Sequence, residues 1–186
     1  MLEQLKCEVR DAYRTLTRYD LDRYARGMVS AIDRQSGRIV MQSAKSSLVA
    51  DLRGNVIEGD SIPSADIQAH LAVYHAFDVG AVVHPHARYA TIFAQVGMGI
   101  PVLGAFHKDF FRAEIPCADS ASDMEAVFEK ESLDPLRTPG ALVLSEGAYA
   151  WGVTVLDAVE NAAVLEETAN MAYHTMQLDP GIQPIQ

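Results

Sequence analysis

Apolar residues recur at helical spacing along several stretches of the chain. Between Leu2 and Leu16 they fall every three or four positions, which predicts an amphipathic helix over 2–19. A helix-start signal follows Pro63, and Gly97 is a typical residue just past a helix end. A capping box of the type Ser-x-x-Glu is predicted at Ser122 to Glu125. The further predicted helices are 67–77, 87–96, 122–132 and 155–176.

Short apolar runs rich in β-branched residues predict strands that alternate with turns. They fall at 28–32, 38–41, 48–51, 56–57, 79–84, 115–117 and 141–144, and the first four form two hairpins. Strands and helices do not alternate strictly. The predicted fold class is therefore α/β with a mixed or largely antiparallel sheet, in a single domain over 1–186. The tail from about 179 is expected to be unstructured.

Charge and cysteine content exclude several classes of partner. The 186 residues carry a formal net charge of −10, which disfavours nucleic acid and anionic membrane surfaces, although a local site can still bind a small anion. We expect neither a signal peptide nor a membrane span. The two cysteines, Cys7 and Cys117, are far apart, which is typical of a reducing cytoplasmic location, and we expect both to be buried.

A pair of histidines closes the apolar run 79–83. His84 and His86 flank Pro85, and residues two apart on a strand face the same side. Two imidazoles on one side can bind a divalent cation. The alternative is that they are simply two polar residues at the end of a strand.

Acidic residues are predicted near the same region. Asp66 lies at the start of a predicted helix, and Glu146 follows the strand 141–144. Two histidines with one or two carboxylates make an ordinary divalent-metal shell. Each carboxylate also has a structural interpretation, since Asp66 can be a helix N-cap and Glu146 a turn residue. His107 and Asp109 fall in a predicted loop after Pro101.

Taken together, these motifs resemble the class II aldolase/adducin family, and within it the L-ribulose-5-phosphate 4-epimerase branch. The resemblance covers nearly the whole chain. The segments that carry it are 63–66 with His70, 84–95, 107–111, 115–117, 147–152 and 157–162.

The resemblance implies a fold, an assembly and a reaction. Family members have a three-layer α/β/α domain around a mainly antiparallel sheet, and they usually form homotetramers with sites between subunits. They use a divalent metal, usually Zn²⁺, in retro-aldol cleavage of a C–C bond. By similarity, His84, His86 and Asp66 bind the metal. Asp109 matches the catalytic aspartate of the epimerase branch, and His107 matches its neighbouring histidine.

Several positions depart from the family pattern. Glu146 stands where the family has its third metal histidine, so the implied shell becomes His84, His86, Glu146 and Asp66. A shell with more carboxylate favours Mn²⁺ or Fe²⁺ over Zn²⁺. The matching phosphate-binding positions are Gly27, Ser30, Ser43 and Ser64, with Lys45 as a further cation nearby. Three neighbouring family residues are replaced by Met28, Ala44 and Ala65.

Two functions therefore compete, and a small-ligand or metal-binding module without turnover lies between them. The first is a metal-dependent sugar-phosphate epimerase or aldolase, an isomerase or lyase of carbohydrate metabolism. The second is a catalytically degenerate member that serves in binding or assembly, supported by Glu146, the altered phosphate positions and the lack of a match to the branch's C-terminal catalytic tyrosine. We expect turnover of L-ribulose 5-phosphate to be weak or absent.

Overall fold

The structure is a computed structural model that describes residues 2–59 and 64–184, and the side chains of 64–66 lie outside this description. The helices are α1 Leu2–Arg18, α2 Ser64–Ala76, α3 Arg88–Gln95, α4 Ala105–Phe110, α5 Met124–Lys130 and α6 Val155–Leu178. The strands are β1 Met28–Asp33, β2 Arg38–Ser43, β3 Ser47–Asp51, β4 Val56–Gly59, β5 Ala81–His84, β6 Cys117–Ala118, β7 Gly140–Val143 and β8 Gly147–Gly152.

These strands form one sheet between two layers of helices. Their order is β4-β3-β2-β1-β5-β8-β7-β6, and all pairs are antiparallel except β6 with β7. Helices α1, α3 and α6 pack on one face, while α2 and α5 pack on the other. The prediction of an α/β/α domain with a mainly antiparallel central sheet is confirmed.

The alternation of side chains along β5 decides which layer each residue joins. Ala81 and Val83 belong to the core beneath α3 and α6, whereas Val82 belongs to the core beneath α2. Because the period of a strand is two, His84 lies on the same face as Val82. The first histidine of the pair therefore faces the layer of α2.

Helix α6 packs closely on β8 and β5 and is the main helix of its layer. A capping box joins Thr154 to Asp157 at its start. A Cβ atom at Gly152 would lie only 2.6 Å from the backbone nitrogen of Ala158, so this position requires glycine for the close approach of helix and strand.

Some predictions about individual elements are wrong. The segment with His107 and Asp109 is helix α4 rather than a loop, and 147–152 is a strand that no apolar run indicated. The capping box predicted at Ser122 does not form, because α5 begins at Met124 after a short 3-10 turn, and the side chain of its N-cap residue Asp123 accepts no hydrogen bond from the helix backbone.

The environment of the cysteines also differs from the prediction. Cys7 is exposed, because it lies on the outer side of α1, and Cys117 is half-buried. Burial raises the pKa of the Cys117 thiol. Residues 179–184 form neither helix nor strand. Among the described residues, we find no helix with the length and apolar character needed to cross a bilayer.

Candidate metal and substrate site

The two histidines of the pair lie side by side at the end of β5. Their ring centroids are 4.8 Å apart, and the rings meet edge to face. His84 is 7% exposed, and His86 is half-buried. The predicted convergence of the two imidazoles is therefore present in the structure.

A backbone carbonyl holds His84 in one tautomer. Its Nδ1 donates to the carbonyl oxygen of Ala148 at 2.8 Å, which leaves the lone pair on Nε2. Burial, with a further contribution from His86, lowers the pKa of His84 to about 4, so the ring is neutral near pH 7. A neutral imidazole that donates its other N–H to a carbonyl is the usual arrangement of a metal-ligating histidine. The residues present thus fit a divalent metal.

Tyr149 lies between the pair and the acidic residue that was expected beside it. Its ring stacks on His84 with centroids 4.2 Å apart and planes 14° apart. Its hydroxyl donates to Oε2 of Glu146 at 3.1 Å. Within residues 2–59 and 64–184, no three His, Cys, Asp or Glu side chains converge closely enough to hold a metal ion. Glu146 is therefore connected to His84 through Tyr149 and does not join the pair.

The turn between β7 and β8 positions Ala148 and Tyr149, two residues that contact His84. Ser145 has a φ of 63° and Gly147 a φ of 130°, a region that favours glycine. A Cβ atom at Gly147 would lie 3.7 Å from Cε1 of His84. The turn thus brings Ala148 and Tyr149 directly against the histidine.

A buried polar network lies next to Tyr149. Nδ1 of His70 is 2.7 Å from Oγ of Ser30, and that oxygen is 2.8 Å from the hydroxyl of Tyr74. The His70 ring meets Tyr149 edge to face, with centroids 6.1 Å apart. Burial, with a smaller effect of His84, lowers the pKa of His70 to about 3. Its Nε2 has no partner in the described part of the chain.

The predicted phosphate residues lie at the same end of the sheet as the pair. In the strand register, Met28 of β1 is opposite Ser43 on one side and opposite His84 on the other. The Ser43 hydroxyl accepts from the backbone nitrogen of Ser46 at 3.1 Å, and Lys45 is exposed beside it. Ser43 and His84 thus lie at the same end of the sheet, on the two strands that flank β1.

Two other residues predicted to bind phosphate are hydrogen-bonded to groups of the protein itself. The backbone nitrogen of Gly27 donates to Oδ1 of Asp22 at 2.6 Å. Ser30 is 0% exposed, and its hydroxyl is occupied by His70 and Tyr74, so it presents no open side to a ligand. The Ser64 side chain lies outside the description, and its role stays a prediction.

The predicted catalytic residues His107 and Asp109 lie on a different layer from the side chain of His84. Helix α4 carries buried His107 and exposed Asp109, and it packs on α6 in the opposite layer from α2. In the described residues, neither side chain has a hydrogen bond to His84. The side chain of Asp66 lies outside the description, so its role as a metal ligand also stays a prediction.

Sequence reasoning assigned no role to His70 or Tyr149. His70 follows Asp66 by four residues on α2, and residues with this spacing share one face of a helix. Tyr149 alternates with Trp151 on β8, which places both on the face of His84. Helical spacing was therefore a usable signal for His70, whereas Tyr149 required the strand to be recognised first.

Comparisons with known proteins agree with this architecture. The family model for the class II aldolase and adducin N-terminal domain matches residues 7–173. L-ribulose-5-phosphate 4-epimerase UlaF of Salmonella paratyphi A is 39% identical over 206 aligned positions, covering 99% of this chain and 90% of that protein.

Solved structures share the fold at lower identity. An L-fuculose 1-phosphate aldolase superposes with a TM-score of 0.81 at 20% identity over 98% of this chain and 89% of its own. YgbL from Klebsiella pneumoniae, a putative aldolase/epimerase/decarboxylase, superposes with a TM-score of 0.74 at 22% identity over 99% and 93%. With the family model, the epimerase relative and the histidine pair in agreement, this chain belongs to the class II aldolase and adducin N-terminal domain family.

Proposed function

We propose that this protein is a divalent-metal-dependent enzyme that breaks, or breaks and re-forms, a C–C bond in a sugar phosphate. The observation that carries this is the fixed tautomer of His84, whose Nδ1–H is held by Ala148 so that the lone pair lies on Nε2, in a ring next to that of His86. The 39% identity to an L-ribulose-5-phosphate 4-epimerase supports a reaction of the same class. Two cysteines without a disulfide support a cytoplasmic location.

The proposed metal shell consists of His84, His86 and Asp66. Membership of the family implies a divalent metal, and we propose Zn²⁺ because two imidazoles and one carboxylate suit it. Bound there, the metal supplies Lewis acidity towards the carbonyl and hydroxyl oxygens of a ketose. The tyrosine ring stacked on His84 keeps that imidazole from turning and excludes water from its face.

The groups around the pair provide binding and proton transfer. Lys45 is exposed at the end of β2 and supplies a positive charge for the substrate phosphate in a protein of net charge −10. Asp109 is exposed on α4 and is free to act as an acid or base. Because α4 lies in the other layer, we propose that Asp109 serves the pair of a neighbouring subunit in a homotetramer.

Turnover with added metal tests the proposal. The chelator-treated protein should show no activity, and Zn²⁺ or Mn²⁺ should restore cleavage or epimerisation of at least one phosphorylated ketose, measured by proton NMR. L-ribulose 5-phosphate and L-fuculose 1-phosphate are the first substrates to try. We expect L-ribulose 5-phosphate to react weakly, because Ser30 is closed to ligands. Tight metal binding without turnover of any such ketose would instead favour the degenerate binding or assembly module.

Replacement of Glu146 by glutamine separates two possible metal shells. We expect Glu146→Gln to change the Zn²⁺ dissociation constant by less than about twofold, because its Oε2 accepts from Tyr149 and its carboxylate does not join the pair. The measurement is competition against a chromophoric chelator, with His86→Gln as the positive control. A tenfold weaker Zn²⁺ affinity in Glu146→Gln would show that Glu146 is a metal ligand.

A further inference from the structure

The start of helix α3 lacks a cap of its own. Only Pro85, His86 and Ala87 separate the end of β5 from the first residue of α3. The N-cap residue is Ala87, whose side chain has no hydrogen-bonding atom and makes no cap. The first-turn N–H groups of a helix need acceptors from elsewhere. The position of His86 therefore depends on whatever satisfies this helix start.

A glutamate of helix α6, which packs on α3, supplies acceptors for two of these N–H groups. Glu166 of α6 accepts from the backbone nitrogen of Tyr89 at 2.8 Å with Oε1, and from that of Ala90 at 2.9 Å with Oε2. These are the second and third helical positions, which an N-cap side chain normally satisfies. A carboxylate there also complements the positive end of the helix dipole.

Helix α6 also packs on the strand that orients His84. Helix α6 packs on β8, and β8 provides the carbonyl of Ala148 that holds His84. Around Glu166, the side chains of Leu165 and Ala169 are fully buried, so this part of α6 cannot shift without disturbing the core. One rigid helix thus contacts both the strand that orients His84 and the helix start that follows His86.

We infer that Glu166 is a positioning residue, which holds His86 at the correct separation from His84 by capping α3 from α6. This inference rests on the proposed function, because the geometry of the pair matters only if the pair binds a metal. Groups that fix the orientation of a metal ligand by hydrogen bonding to it directly affect metal affinity by about 10- to 100-fold in other proteins, and Glu166 would act one step further out, through the backbone that follows His86.

Glu166→Gln, compared with Glu167→Gln, tests the inference in the full-length protein. Glutamine keeps the shape but places an NH2 donor against one of the two N–H groups. We expect the Zn²⁺ dissociation constant to rise by at least about tenfold in Glu166→Gln and by less than about twofold in Glu167→Gln. Glu167 is the matched control, because it is the adjacent glutamate, is exposed, and accepts only from Asn170 among the residues that the structure describes.

Thermal unfolding of the metal-free variants separates positioning from simple stabilisation. If Glu166→Gln lowers the melting temperature while its Zn²⁺ affinity equals that of the wild type, the inference is overturned. If Glu166→Gln is insoluble, Glu166→Asp keeps the charge but is one methylene shorter, and it should weaken Zn²⁺ binding in the same way. The proposed function would be overturned as well if the wild-type protein bound no metal, or if His84→Gln left the Zn²⁺ affinity unchanged. Unchanged affinity in Glu166→Gln alone overturns only this inference.

Discussion

Replacing His84 with glutamine is expected to weaken Zn²⁺ binding by at least about 100-fold and to lower turnover on the order of 100- to 1,000-fold. The reason is that a backbone carbonyl fixes the tautomer of His84, so its Nε2 is ready to bind metal without reorganisation. Glutamine keeps the length and polarity of the side chain but offers only a neutral amide oxygen. Chelator competition gives the affinity, and proton NMR of the ketose gives the rate.

His75→Gln is the matched control for this experiment. His75 lies on α2, is exposed, and its Nε2 is 3.0 Å from the carbonyl oxygen of Leu52. Its loss should leave both metal affinity and turnover unchanged. Equal effects of the two substitutions, or full activity in His84→Gln, would show that the metal, if any, binds elsewhere. Circular dichroism of both variants confirms that they are folded.

Lowering the pH from 8 to 5 is expected to reduce the free energy of unfolding of the metal-free protein by about 4 kcal/mol, because two buried histidines are neutral in the native state. Burial lowers the pKa of His84 to about 4 and that of His70 to about 3, against 6.5 for the unfolded chain. As the pH falls below 6.5, the unfolded state takes up two protons that the native state does not. The stability that these residues contribute is therefore complete above pH 6.5 and is lost as the pH approaches 4. Urea unfolding in the presence of a chelator measures it.

The His84→Gln variant also tests the acid effect. Removal of one of the two titrating groups should reduce the pH-dependent loss by about 2 kcal/mol over the same range. His75→Gln is again the matched control. An identical pH dependence in wild type and His84→Gln would mean that His84 is protonated equally in the native and unfolded states. Added Zn²⁺ should shift the loss of stability to lower pH, because metal binds the neutral imidazole.

The predicted elements that match the structure are those with a strong periodic signal. Helix α1 and the long helix α6 lie within two residues of their predicted bounds, and the hairpins β1–β2 and β3–β4 pair as expected. Their apolar residues repeat with one period over many positions, and the turns between the strands contain glycine. Local sequence and tertiary packing favour the same structure in these segments, so the pattern suffices.

The two missed elements have weak local signals. Strand β8 reads Gly-Ala-Tyr-Ala-Trp-Gly, and glycine and alanine are poor strand formers. It exists because both of its faces are buried and its backbone pairs with β5 and β7. Helix α4 has only six residues and a glycine N-cap without a side-chain cap. A helix this short is stable only when tertiary packing supports it, here against α6.

The sequence by itself determined the histidine pair, the strand that precedes it and the convergence of both rings on one side of that strand, because strand periodicity is a local property. Only the tertiary structure decided how the pair is held. The carbonyl of Ala148, the ring of Tyr149 and the carboxylate of Glu166 come from residues 62 to 82 positions away in the chain. The placement of these groups follows from long-range strand pairing and helix packing, which no local pattern of hydrophobic and polar residues encodes.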